Sequence, residues 1–253
     1  MLLLDKLSYA SSLRNLNPLY KLYLSVGVLV ICVATRSIVV GLLSFLGMGG
    51  LTLLWSKTPF RHYCYLLCIP LIFITLTTLG YMLEISLLPV GDVSIRIAWF
   101  HIGYFYSSIH RGVQIFVTAM GAISSMYFLS LTTPMIDLLI SLRKLHVSKL
   151  MIELMLLLYR FVFLIFEIVN AIHSSIICRL GNRDMKTSLK SMGQMLAMTL
   201  IRALKQSDHL YNAMESRGFD GEIRILMPDY EIKKRYVIGA VTFHLCLLLT
   251  AIM

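Results

Sequence analysis

Charge is what this chain has least of. Only 14% of its 253 residues are Asp, Glu, Lys or Arg, and 58% are hydrophobic. Soluble domains carry about 25% charged and about 45–50% apolar residues. A water-exposed globule is therefore excluded, and an integral membrane protein is expected. No phosphate-cradling loop of the Walker type, with its glycines and lysine, occurs anywhere, so this chain does not itself hydrolyse ATP. The seven histidines never form a His-x-x-His or Glu-x-x-His pair that would place two ligands on one helix face. No serine or cysteine stands with a matching base, and no catalytic, cofactor-binding or metal site is assigned. Ser124-Ser125 and Ser174-Ser175 read as helix-packing hydroxyls. Cysteine is scarce and odd in number: Cys32, Cys64, Cys68, Cys178 and Cys246 lie in apolar surroundings. Buried free thiols are expected there. Cys64 and Cys68 are one helical turn apart, but no second pair follows to complete a zinc site. A cleavable leader pattern is missing too: Met1 to Leu4 is too short an apolar core, so the first membrane segment is expected to stay in the mature protein.

What the chain does contain is one long helical pattern with a polar face, Met192 to Gly221. Met192, Leu196, Leu200, Leu204, Tyr211 and Met214 recur at helical spacing, and Gln194, Arg202, Lys205, Asp208, Asn212 and Glu215 form the wet stripe. Gly218 suits the left-handed residue that ends a helix, which puts Arg217 in the last turn, beside the negative pole of the helix dipole. The apolar runs Leu19–Thr35, Ile38–Trp55, Tyr63–Met82 and Gly112–Leu131 read as membrane spans, with Asn17-Pro18 starting the first and Pro70 kinking the third. Gly41, Gly47, Gly49 and Gly50 read as sites of close helix packing. Between spans three and four, Ser94 to Phe100 alternates like a short strand, and Trp99, Tyr104, Phe105 and Tyr106 resemble an interfacial aromatic belt. Thr133 and Pro134 open a short helix as N-cap and first residue.

The run Lys149–Arg179 is long and oily, but Arg160, Glu167, Asn170 and His173 interrupt it at helical intervals. The net charge of +10 helps to place it. The basic residues sit between apolar runs, which fits the positive-inside rule and not nucleic-acid binding. A crossing by 149–179 would put Arg179, Arg183, Lys186 and Lys190 outside. The expectation is that 149–179 and 190–217 lie along the cytosolic side and that Tyr236–Met253 is a fifth span. The expected class is an all-α membrane protein with about five transmembrane helices. To these it adds a cytosolic-side domain of one short and two long amphipathic helices. Its parts are an N-terminal bundle (1–131), coupling helices (132–222), and a linker with the last span (223–253). The 15 methionines read as adaptable packing, since thioethers favour soft Cu(I) over harder ions.

Two ends match. Cys178-Arg179-Leu180-Gly181 and Ser216-Arg217-Gly218 each close a long amphipathic pattern with an arginine and a glycine. Alone, these residues suit dipole complementation and lipid anchoring as well as a twofold partner.

At this point the chain resembles the transmembrane T component of energy-coupling factor (ECF) transporters, of the cobalt-transport CbiQ type. The resemblance rests on Leu16-Asn-Pro18 with Lys21, Leu131-Thr-Thr-Pro134 through Leu145, Leu158-Tyr-Arg160 with Glu167, Arg179-Leu-Gly181, and above all Ala213-Met-Glu-Ser-Arg-Gly-Phe-Asp-Gly221. It implies that two coupling helices cross beneath the membrane and that Arg179 and Arg217 dock into two ATPase (A) subunits. Cys178, Ser216 and Gly218 would flank those contacts, with Pro134, Arg160, Glu167 and Glu215 in support. Leu180 stands where the family has glycine. The resemblance further implies a metal-binding membrane S component like CbiM, a small accessory subunit like CbiN, surrounding lipid, and a bacterial or archaeal cytoplasmic membrane. Cobalt is the implied substrate, with nickel or a vitamin as alternatives. A different class, an ion-driven secondary transporter, would need intramembrane charges such as Arg160 and Glu167 to pair.

Overall fold

The computed structural model describes residues 3–56, 58–82, 84–86, 93–97, 100–104, 106–221, 223, 230 and 234–252. In order it forms α1 (Leu3–Ala10), α2 (Pro18–Thr35), α3 (Ile38–Gly50, prolonged by a π-helical turn, Leu51–Trp55) and α4 (Phe60–Met82). Strands β1 (Glu84–Ser86), β2 (Val93–Ile97) and β3 (Phe100–Tyr104) follow. Then come α5 (Tyr106–Thr132), α6 (Met135–Lys144), α7 (Lys149–Cys178), α8 (Met185–Glu215) and α9 (Lys234–Ile252). The class is all-α apart from one small antiparallel sheet of order β1-β3-β2. The alternation read at Ser94–Phe100 corresponds to strand over its described part, Ser94–Ile97 in β2 with Phe100 opening β3. The expected aromatic belt rests on Trp99 and Phe105 and on the side chains of Tyr104 and Tyr106, all outside the described residues.

Among the described residues four helices are long and apolar enough to cross a bilayer: Pro18–Thr35, Ile38–Trp55, Phe60–Met82 and Ser108–Thr132. The chain is a multi-pass membrane protein. Its fifth apolar helix is shorter, Arg235–Ala251, and packs against α2 and α3 with Leu247 buried. The chain divides into two compact units, Met1–Leu138 with Asp229–Met253, and Leu139–Pro228.

In the first unit α5 is the hub, with α1, α2, α3 and α4 all packed on it. Lipid tails are as apolar as leucine, so helices in a bilayer associate through close backbone approach and hydrogen bonds. Both are present. A Cβ built on Gly121 of α5 would lie 2.7 Å from the Gly41 carbonyl oxygen of α3 and 3.0 Å from Cys32 Sγ of α2. Ser25 and Ser125 exchange hydrogen bonds across α2 and α5: each hydroxyl donates to the other's carbonyl, at 2.9 and 2.6 Å. Ser124 meets Tyr63 Oη of α4 at 3.1 Å. The reading of Ser124-Ser125 as packing hydroxyls holds. Ser174 and Ser175 instead donate to Asn170 and Ala171 one turn back on their own helix, at 2.9 Å each. Close packing also holds at Gly47, where a Cβ would lie 2.6 Å from Phe243 of α9, and at Gly49, 3.3 Å from Tyr63 Oη; Gly50 alone of that run has open space around it.

Pro70 lies inside α4, as expected. Proline lacks an N–H, so the carbonyl four residues back loses its helical donor. That carbonyl, Leu66 O, accepts a bond of 2.9 Å from Tyr127 Oη of α5. Asn17 starts α2, its side chain accepting from Leu19 N at 3.0 Å with Pro18 in the first turn. Lys21 is only 4% exposed, and its ammonium donates to Thr132 O, at the C-terminus of α5, at 2.8 Å. A cation suits that negative helix pole. α2 and α3 are joined by Arg36 and Ser37 alone; Arg36 turns left-handed (φ 47°), and its carbonyl accepts from Gln114 Nε2.

The cysteines and Thr133 also depart from expectation. Of the free cysteines only Cys32 is buried; Cys64 is half-buried, and Cys68, Cys178 and Cys246 are exposed. A thiol on a spanning helix satisfies its apolar preference against lipid as well as against protein, as Ile69, Phe73 and Leu76 do on α4. Thr133 is not the N-cap of the short helix: α6 starts at Met135, and Pro134 provides its first acceptor, to Leu138 N at 3.1 Å.

A polar network closes this unit near α6. Tyr230 hydrogen-bonds the Asp137 carboxylate; burial and that negative neighbour push its hydroxyl up to about 12. Tyr9 is raised too, chiefly by burial, with the Arg14 guanidinium 5.0 Å above its ring. A phenol whose folded pKa is raised stabilises the fold fully below the ordinary value near 10, and the contribution is lost as pH climbs towards 12. The melting temperature in detergent should therefore fall more steeply between pH 10 and pH 12 for the wild type than for Tyr230→Phe.

In the second unit α7 and α8 pack together. α8 begins seven residues before Met192, after Asp184, whose carbonyl accepts from Ser188 N at 2.7 Å. Lys186, Thr187, Ser188 and Lys190 hide the apolar period there.

Candidate functional site

The ends of α7 and α8 share one backbone motif. A helix that closes in a Schellman turn has paired bonds, 6→1 and 5→2, around a left-handed residue. At the end of α8, Phe219 N donates to Met214 O at 3.0 Å and Gly218 N to Glu215 O at 2.9 Å, with Gly218 at φ +79°. At the end of α7, Gly181 N donates to Ile176 O at 2.9 Å and Leu180 N to Ile177 O at 3.0 Å, with Leu180 at φ +56°. Arg179 and Arg217 therefore occupy the same position, immediately before the left-handed residue. Leucine in the glycine position leaves the backbone geometry intact.

The cost is local strain. An L-residue with a Cβ pays roughly 1–2 kcal/mol in the left-handed region, and glycine does not. Leu180 is 71% exposed, so no burial offsets it. Leu180→Gly should stabilise the chain by about 0.5–1 kcal/mol after the extra unfolded-chain entropy of glycine, raising the melting temperature by about 2 °C.

Both arginines, with Cys178, Ser216, Gly218 and Glu215, are exposed. Ser216 Oγ donates to Asn212 O at 2.7 Å, which fixes the last turn before Arg217. Gly181 sits where a Cβ would come within 2.9 Å of Ser191 Oγ on α8, and Ser191 donates to Gly181 O at 3.0 Å. The start of α8 is thereby held to the end of α7. Arg160 and Glu167 share a face of α7 and are both exposed; among the described residues no ion pair joins them. Glu153, earlier on α7, accepts from Ile223 N at 3.3 Å. Pro134 is buried under the start of α6. The apolar stripe read on α8 is exposed along Met192, Leu196, Leu200, Leu204 and Tyr211. Arg202, expected on the solvated stripe, is exposed there, and it also lines a cleft together with Arg179. Only the packing of α8 on α7 reveals that.

Residues 9–227 match the family profile described as "Cobalt transport protein", CbiQ. The chain belongs to the CbiQ cobalt-transport family. Relatives agree. A Methanocaldococcus jannaschii protein described as uncharacterized is 30% identical over 98% of this chain and 92% of its own length. The cobalt transport protein CbiQ of Rhodobacter capsulatus is 29% identical over 88% of this chain and 86% of its own. A Methanocorpusculum labreanum protein described as a putative fused cobalt transport protein CbiMQ is 30% identical over 87% of this chain, which matches 37% of that longer protein. As a CbiQ-family member the chain is a membrane component of cobalt transport. Every residue of both arginine motifs falls inside the matched range.

Proposed function

We propose that the chain is the T component of an ECF-type importer for cobalt ions, a non-catalytic scaffold that couples two ATPase subunits to a metal-capturing membrane subunit. The observation that carries this is the matched pair of Schellman ends, each presenting an exposed arginine at the same backbone position. Two equivalent cationic tips fit a partner with two equivalent acidic grooves. On this reading α6, α7 and α8 lie on the cytosolic side of a bacterial or archaeal cytoplasmic membrane, as the distribution of basic residues favours. ATP binding draws the ATPases together and hydrolysis lets them part. The arginine tips follow, and α7 and α8 pass the motion to the subunit that holds the metal. The fused relative, whose description joins CbiM and CbiQ parts in one chain, supports a CbiM-like partner for this one. A small CbiN-like subunit completes the assembly.

Co-expression with ATPase and CbiM-like genes tests the reading. Two ATPase copies should travel with each chain, and uptake of radiolabelled cobalt into proteoliposomes should require internal ATP. Uptake by this chain alone, driven by an ion gradient, would sink it.

A further inference from the structure

A cleft of about 420 Å³ lies between α7 and α8 at the Arg179 end, lined by Arg179, Arg202, Gln194, Ser175 and Ser191 on its polar side. Its remaining wall is apolar, with Ile172, Ile176, Met195 and Met198. No carboxylate lines it, and among the described residues neither guanidinium has an ion-pair partner. Both arginines are exposed, and an anion entering this concavity would meet two positive charges. The serine hydroxyls are already engaged: Ser175 donates to Ala171 O at 2.9 Å, and Ser191 to Gly181 O at 3.0 Å. Recognition is left to the two guanidinium forks and the Gln194 amide. Planar forks match the paired oxygens of a carboxylate. The wall of isoleucine and methionine fits the apolar side chain of a neighbouring residue, and methionine adapts its shape to what it meets.

We infer that this cleft receives an acidic segment of the ATPase subunit, a carboxylate next to an apolar residue, and that Arg202 is the second cation of the first coupling contact. The inference rests on the docking role proposed for Arg179. The cleft is continuous with that residue, so a subunit that grips Arg179 also meets Arg202. It makes the two coupling ends unequal in one respect: the α7 end adds a guanidinium drawn from the middle of α8. An anionic phospholipid is the competing guest, and the test separates the two.

The test uses the co-expressed complex with Arg202→Ala, Arg202→Lys and Arg202→Glu beside Arg179→Ala. Two readouts are taken: ATPase retained across a salt titration, and phospholipid bound to the purified chain by native mass spectrometry. Arg202→Ala should weaken ATPase retention about tenfold or more and flatten its salt dependence, with Arg202→Glu worse and Arg202→Lys only partly restored. Wild-type retention in Arg202→Ala and Arg202→Glu, with loss in Arg179→Ala, overturns the inference and leaves the docking role standing. Wild-type retention in all four removes both. Loss of bound phospholipid with unchanged ATPase retention also overturns it, in favour of a lipid site. If Arg202→Ala does not fold, Arg202→Lys decides: full retention there contradicts the need for a planar fork.

Discussion

Alanine at both Arg179 and Arg217 should abolish ATP-driven cobalt uptake and strip the ATPases from the complex, while the chain still inserts and melts like the wild type. The two side chains are exposed and support no other part of this chain, so the fold does not need them. In the complex each would be one half of a desolvated charge pair. Removing one half leaves the other buried and unpaired, which costs about 2–5 kcal/mol, or about 30-fold or more in affinity. Arg217→Ala should have the larger single effect. Its motif has an unstrained glycine and a single cation, whereas Arg202 stands behind Arg179. Pull-down of the ATPase with radiolabelled cobalt uptake checks it. Uptake and pull-down at wild-type level in the double variant would remove the coupling role.

The second large effect is on the fold. Gly121→Leu should prevent recovery of folded protein from detergent, and Gly121→Ala should already lower the melting temperature. At 2.7 Å from a backbone carbonyl and 3.0 Å from Cys32 Sγ, a Cβ on Gly121 has no flexible side chain to push aside. Overpacking usually costs about 1–3 kcal/mol, and more where backbone must move. Gly50→Ala is the control. It lies in a helix with open space around it, and alanine there relieves the roughly 1 kcal/mol that glycine costs a helix interior. Size-exclusion profiles and thermal melts of the three variants check both halves of the prediction. An unperturbed Gly121→Leu would show that α3 and α5 do not meet this closely.

Much of this was legible in the residues. Apolar runs of about 18 residues located the spans, because a bilayer sets their length. Asn17-Pro18 marked the start of α2, and Gly218 the end of α8. The Arg179 end was legible as an arginine near a glycine, but its geometry was not. A leucine gives no sign that it takes the left-handed residue's place. Partners were less visible still. Pro70 announced a lost hydrogen bond without naming Tyr127 as the replacement donor, since that contact joins residues 61 positions apart. Cysteine burial failed at Cys68 and Cys246 because lipid satisfies a thiol on an apolar helix as well as a protein interior does, and at Cys178 because that residue sits at the exposed end of α7. Arg202 was hidden because helical spacing orders residues around one helix and says nothing of what the neighbouring helix contributes.

The two-residue link between α2 and α3 has a consequence for biogenesis. Arg36 and Ser37 allow no slack, and Gln114 of α5 later fastens the Arg36 carbonyl. With so short a link the two spans are expected to leave the translocation machinery as one hairpin. A reporter fused after Thr35 would therefore record the fate of a half-made hairpin, and faithful orientation data require fusion points beyond Trp55.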